Sequence, residues 1–297
     1  QHFYEVTDLL GASYVYDNSD LNAPNRALKV GDKYNYFNDG NVGWQGLFTQ
    51  VEYDKNNVTA FVSASLSNTS YQRVDYFQYL DSDPMQTTDK YNFMGYSIKG
   101  GMNYNISAKS NLFANIGYFE KAAGFDAVFQ GYDNEHINAE AANQKIFSIE
   151  LGYGLRGEKL AANVNLYRTK WNDRTFTRYF NNGGITYFAN LLGVNALHQG
   201  VEIDFTYKPS TKLNVYGMLS LGDWRWVNNL ENVQVYDEAQ NPVGKPYNLY
   251  LKDVKVADAA QTTAALGLDY ELMDKTHFFS YRDINLYFQI ATHMTYV

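Results

Sequence analysis

Carboxylates and histidines are the side chains of this 297-residue chain with most chemistry to offer. Five acids, Glu52, Glu150, Glu202, Asp204 and Asp269, each stand in a stretch where polar and apolar residues alternate. Two carboxylates at a fixed separation could hydrolyse a glycoside, but spacing singles out no pair. The five histidines, His2, His136, His198, His277 and His293, are scattered without metal-ligand spacing. Cysteine is absent, which removes disulfides and thiolate metal sites. A phosphate-cradling glycine loop and a nucleophile elbow are missing. Asp17-Asn18-Ser19-Asp20 and Asp81-Ser82-Asp83-Pro84 offer oxygen ligands, but they lack EF-hand spacing and read as solvated loop tips. No catalysis, metal or cofactor is expected. A net charge of −8 argues against a nucleic-acid partner.

The elements that hold these acids are the stronger signal. In Phe147 to Leu155, the residues Phe147, Ile149, Leu151, Tyr153 and Leu155 oppose Ser148, Glu150, Gly152 and Gly154. After the break Arg156 to Lys159, Leu160, Ala162, Val164 and Leu166 oppose Asn163, Asn165 and Tyr167. A period of two means strands, and two strands about a tight break mean a hairpin. The pattern recurs along nearly the whole chain, in runs of about nine to eleven residues, the length that crosses a bilayer as a tilted strand. Short connections (Lys55 to Asn57, Ser107 to Ser110, Arg156 to Lys159, Lys208 to Thr211) largely alternate with long ones (Gly11 to Gly43, Glu120 to Gln144, Asn228 to Gln261). Outer-membrane barrels have this asymmetry, with short periplasmic turns and long extracellular loops. The mean hydropathy of −0.44 fits a barrel, whose interior is polar, and no apolar run is long enough for a membrane helix. A short helix is expected at Asn138 to Gln144 within a loop.

The expected fold is therefore all-β, a transmembrane antiparallel β-barrel. Its apolar face meets outer-membrane lipid. Its lumen face carries Glu52, Glu150, Asn163, Asn165 and Glu202, and further along Asp204, Asn214, Asp269, Asn285 and Gln289. These residues read first as a hydrated, paired barrel interior, and second as a surface that holds a plug or lines a solute path. Trp44, Trp171, Trp224 and Trp226 fall near run ends, as do many of the 27 tyrosines. They read equally as an interfacial aromatic girdle or as ordinary strand aromatics. Arg225, between two of them, is expected to point inward.

Several segments resemble the C-terminal barrel of TonB-dependent outer-membrane receptors of the Bacteroidota type: GLFTQVEYD (46–54), YQRVDYFQY (71–79), GYSIKGGMNYNI (95–106), IGYFEKAAGFDAVF (116–129), NQKIFSIELGYGLR (143–156), VNLYRTKWNDRTF (164–176) and HQGVEIDFTYKP (198–209). Gln144 stands where that family usually has Glu. Together these stretches span most of the chain. The resemblance implies an energy-coupled importer in the bacterial outer membrane, with a 22-stranded barrel, an N-terminal plug and a TonB-contacting segment. Residues 1–297 would then be an incomplete barrel domain, since neither plug nor terminal strands are recognisable. The implied partners are TonB, a scarce solute (iron chelate, glycan, peptide or vitamin) and, in part of the family, a surface lipoprotein lid. Two rival readings are a passive porin or structural barrel, and a secreted glycan-binding β-sandwich.

Overall fold

The computed structural model describes every residue except 16–17, 130, 132, 238–240, 258, 274–275 and 287–297. The polypeptide folds as one antiparallel sheet of 13 strands. In chain order these are β1 (His2–Glu5), β2 (Lys33–Lys55), β3 (Val58–Asp75), β4 (Tyr91–Ser107), β5 (Ser110–Lys121), β6 (Gln144–Arg156) and β7 (Leu160–Asn182). They continue as β8 (Ile185–Ser210), β9 (Leu213–Trp226), β10 (Leu230–Asp237), β11 (Pro242–Leu249), β12 (Thr262–Met273) and β13 (Thr276–Leu286). Each strand from β1 to β9 pairs with its sequence neighbour, and β12 and β13 follow β9. β10 and β11 leave this wall as a ribbon that pairs with β8 at Tyr187 to Ala189. The wall is not closed on itself. It is a meander in a single layer, which a β-sandwich is not. Among the described residues no helix is long and apolar enough to cross a membrane.

Among the described residues the sheet has no core of the soluble kind. Along its wall large apolar side chains stand in the open: Leu47, Val51, Leu66, Met102, Ile116, Leu151, Leu166, Leu221 and Leu266 are 47–79% exposed. In water such a surface would drive association; in a bilayer it is the solvated state. The register gathers these side chains on one face. Leu47 opposes Leu66, Ile116 opposes Ile149, and Leu166 opposes both Leu151 and Val201.

One end of the wall has tight turns. Asn56, at φ 57, closes β2 onto β3, and the β4–β5, β6–β7 and β8–β9 connections are comparably short. The other end carries the elaborations. Here strands overrun the nine to eleven residues expected of a membrane run: β5 has 12 residues, β7 has 23 and β8 has 26. β7 and β8 continue together to a turn at Gly183-Gly184, whose φ values of 64 and 86 are the left-handed pair a two-residue hairpin turn requires. Three expectations need correction. β2 begins at Lys33, well inside the stretch read as loop. The loop read across Asn228 to Gln261 contains the β10–β11 ribbon. The helix of the β5–β6 connection is α1 (Phe125–Val128), not Asn138 to Gln144, because Asn138 is committed to other bonds: its amide donates to the Ala127 carbonyl and its side-chain oxygen accepts from the Glu140 N–H.

Among the described residues, apolar side chains are buried only at this elaborated end. Ala189, Leu191, Val194, Leu230 and Val233 form one small core, backed by Phe176 and Trp226. Tyr71, Val128 and Phe129 form another, backed by Phe93 and Phe125.

Candidate functional site

Residues directly opposed in an antiparallel ladder lie on the same face. An unbroken row runs across eight strands: Glu52, Phe61, Gly101, Asn115, Glu150, Tyr167, Gly200 and Gly222. A second joins Phe113, Gly152, Asn165, Glu202, Ser220 and Thr263, and Thr263 pairs in turn with Asn285. Asn163 opposes Asp204, and Asn214 opposes Asp269. The polar residues selected by alternation thus share one side of the wall, back to back with the apolar one. For Asn285 the pairing alone is described, and Gln289 lies outside the described residues.

These groups bond to one another, mostly across strands. The Glu150 carboxylate accepts from the Asn115 amide at 3.0 Å and the Asn165 amide at 2.6 Å, tying β5, β6 and β7 together. Asn163 donates to Asp204 at 2.9 Å, Asn214 to Asp269 at 3.3 Å and Gln50 to Glu52 at 2.6 Å. Between them aromatic rings lie flat over glycines. A Cβ on Gly152 would sit 2.1 Å from the Phe113 ring, and one on Gly267 would sit 2.1 Å from Tyr216. Glycine at these positions lets an inward ring fold down onto the wall.

The tryptophans correct the sequence reading. Trp44 shares the face of Phe48, Gln50 and Glu52. Trp171 and Trp226 both oppose Ala196, and Trp224 opposes His198, in the columns of Asn165, Glu202 and Ser220. All four therefore stand on the polar face, where they cannot form a girdle against lipid. The physical reason is that the register holds without a shift from the polar rows up to each tryptophan, so parity fixes their face. Arg225 is reversed as well: it lies on the outer, apolar-side face, with its Nε 2.6 Å from Asp223. The aromatic belt of that face is made of tyrosine instead. Tyr53, Tyr104, Tyr153, Tyr207 and Tyr270, each 39–54% exposed, stand two or three residues before the tight turns. The signal was present in the sequence, as a tyrosine ending nearly every apolar run.

Three of the tryptophans build a cluster on the polar face. The Trp224 indole donates to the Tyr167 hydroxyl at 2.9 Å and stacks on His198 at 5.4 Å. The Arg174 guanidinium lies 5.4 Å from the rings of both Trp171 and Trp226. Above the β3 side, the β5–β6 loop folds over the same face. Tyr71 donates to the Ala123 carbonyl at 2.8 Å, and Phe125 packs over Gly40, which opposes Arg73. Arg73, 2% exposed, donates to Asn134 at 2.8 Å and to the Gly131 carbonyl at 2.7 Å. Asn134 donates onward to the carbonyls of Met85 and Gln86 in the β3–β4 loop. In the same overhang, N–H groups of His136 and Glu135 and the His136 ring hold the Asp133 carboxyl below its ordinary range, outweighing its burial. Between this overhang and the β8–β10 junction opens a cleft of about 660 Å³, lined by Asn138, Asn190, Asn228, Asn229, Asn232 and Tyr236 among others.

Among the described residues no group of histidines and acids could hold a metal ion. A wall with one face for lipid and one for water, carrying ordered loops at one end, defines an outer-membrane β-barrel protein. The family described as TonB dependent receptor-like, beta-barrel, matches residues 2–296. The chain belongs to this family, whose members are outer-membrane proteins. Among solved structures it is similar to the copper transporter OprC (14% identity, TM-score 0.56, 90% of this chain and 36% of that one). It is similar also to the ferric-catecholate import receptor Fiu from K12 E. coli (13%, 0.57, 88% and 36%). A third is the siderophore receptor PiuA from Acinetobacter baumannii (13%, 0.56, 84% and 33%). At such identity the likeness concerns the fold. The chain spans about a third of the length of these structures. No curated protein matches it in sequence.

Proposed function

We propose that the full-length protein imports a scarce solute across the outer membrane by TonB-dependent transport, without covalent chemistry. The observation that carries this reading is the overhang: loops pinned by the buried Arg73 cover the polar face at its elaborated end. An ordered cover suits capture and release of one solute better than free diffusion. On this reading Glu52, Glu150, Asn163, Asn165, Glu202, Asp204, Asn214, Asp269, Asn285 and Gln289 face the barrel lumen. The barrel is completed by strands outside this chain, a plug domain fills it, and TonB acts on that plug. The polar ladders hold the lumen wall rigid while the plug moves.

Family membership and the import receptors named above support the reading. The rival is a passive porin or structural barrel. Uptake in otherwise identical cells with and without TonB distinguishes them. Loss of uptake without TonB supports the receptor; unchanged uptake that scales linearly with solute concentration supports the porin.

A further inference from the structure

The apolar face does not end neutrally. On β7 its sequence is Leu160, Ala162, Val164, Leu166, Arg168 and Lys170, read on alternate residues. Arg168 opposes Ile149 on one side and Gln199 on the other; Lys170 opposes Phe147 and Leu197. On β9 the same face continues from Leu221 to Asp223 and Arg225, and Arg225 bridges to Lys255. Four cations, Arg168 and Lys170 on β7, Arg225 on β9 and Lys255 beside it, thus flank β8 on this face, with Asp223 among them. Asp223 takes Arg225 at 2.6 Å and Lys255 at 3.6 Å. Arg168 and Lys170 are exposed and make no ion pair among the described residues. Lys145, the next cation on that face, is already matched by Asp173 at 3.0 Å.

Height decides what can meet the free charges. Two residues along a strand tilted by roughly 40° rise about 5 Å. Arg168 therefore stands about 5 Å above Leu166 and about 20 Å above Leu160 at the tight-turn end, near the outer edge of an apolar band about 25 Å tall, from which its long side chain reaches the headgroup layer. Ile149 and Phe147 keep its flank apolar, so the stem of Arg168 can lie along them with the guanidinium at the boundary. A guanidinium and an ammonium side by side present the donors that grip phosphate oxygens. The elaborated end of the wall is the extracellular one, because long loops mark that side of outer-membrane barrels.

We propose that this patch binds the phosphate groups of lipid headgroups in the outer leaflet, with Arg168 and Lys170 as its principal contacts. The inference rests on the outer-membrane location and is independent of the transported solute.

Native mass spectrometry of the full-length protein tests it, with lipid A and chemically dephosphorylated lipid A offered in equal amounts in detergent micelles. The unaltered protein is expected to retain the phosphorylated form preferentially. Combined Arg168→Gln and Lys170→Gln should lower that retention by about fivefold per charge removed. Lys212→Gln, at the tight-turn end, should leave it unchanged. Equal retention of both lipids by the unaltered protein overturns the proposal, and this comparison stands even if the double variant fails to assemble. Unchanged retention in an assembled double variant also overturns it. Release of lipid A by inorganic phosphate would reassign the patch to a free anion.

Discussion

The Trp224 indole donates to the Tyr167 hydroxyl at 2.9 Å, although 57 residues separate the two. The bond spans from β9 across β8 to β7, and it fits because Gly200 lies beneath: a Cβ there would meet the Tyr167 oxygen at 2.6 Å. Tyr167→Phe should therefore destabilise the folded protein by about 1 kcal/mol through loss of one hydrogen bond. Gly200→Val should cost more, since its Cβ would meet the Leu221 carbonyl at 2.4 Å as well as the Tyr167 ring. Denaturant unfolding in detergent, followed by tryptophan fluorescence, reads both.

The two faces of β9 predict opposite responses to charge. Leu219 opposes Ile203 and Ala264 on the apolar side, whereas Asn214 opposes Asp269 on the polar side. Leu219→Arg should cost about 2–4 kcal/mol near the bilayer midplane and impair assembly. Asn214→Arg should be tolerated, with a carboxylate opposite. Heat-modifiable mobility on gels, scored as the folded fraction in isolated outer membranes, checks the contrast.

Arg73 holds the overhang from below. Arg73→Met keeps an unbranched side chain but removes the bonds to Asn134 and Gly131 and the guanidinium that lies 5.3 Å from the Phe129 ring centre. Hydrogen exchange over residues 122–143 should quicken by an order of magnitude or so, as local opening becomes easier, while β6 stays protected. Equal exchange in both proteins would mean that the apolar cluster of Tyr71, Val128 and Phe129 holds the loop unaided.

The same loop should respond to acid. Asp133 has a folded pKa below its unfolded value, so its contribution is fully present above that unfolded value, about 3.9. It fades as pH falls through the lower folded value. Exchange over residues 122–143, corrected for the intrinsic rate, should therefore rise below about pH 4. In Asp133→Asn it should already be raised at neutral pH and should lose most of this acid dependence.

The wall of this fold is legible in the sequence because a bilayer protein writes its two faces into a period of two. Alternation identifies Glu150, Asn165 and Glu202 as one set and Leu151, Leu166 and Val201 as the other, and the register then aligns both. The elaborated end is less legible. Bilayer length bounds the membrane run, but nothing in the pattern marks where water takes over, so β7 and β8 run on to Gly183-Gly184. Of the two readings of the tryptophans, ordinary strand aromatics fits the register and the girdle does not: nearness to a run end says nothing about face, whereas parity with Glu202 or Glu52 does. The Arg73 to Asn134 bond joins residues 61 apart, and no local signal encodes it.

In the barrel proposed above, Asn165 and Ser220 face water while Leu151 and Leu219 face lipid. This chain has no cysteine, so each introduced thiol is unique within it. Cysteine replacement at these four positions, labelled in outer membranes with a charged, membrane-impermeant maleimide or with a lipid-soluble one, measures the claim directly. The charged reagent is expected to reach positions 165 and 220, after mild permeabilisation, and only the lipid-soluble reagent to reach 151 and 219. Labelling of all four by the charged reagent, or the reverse pattern, would contradict the assignment of faces and the barrel built on it.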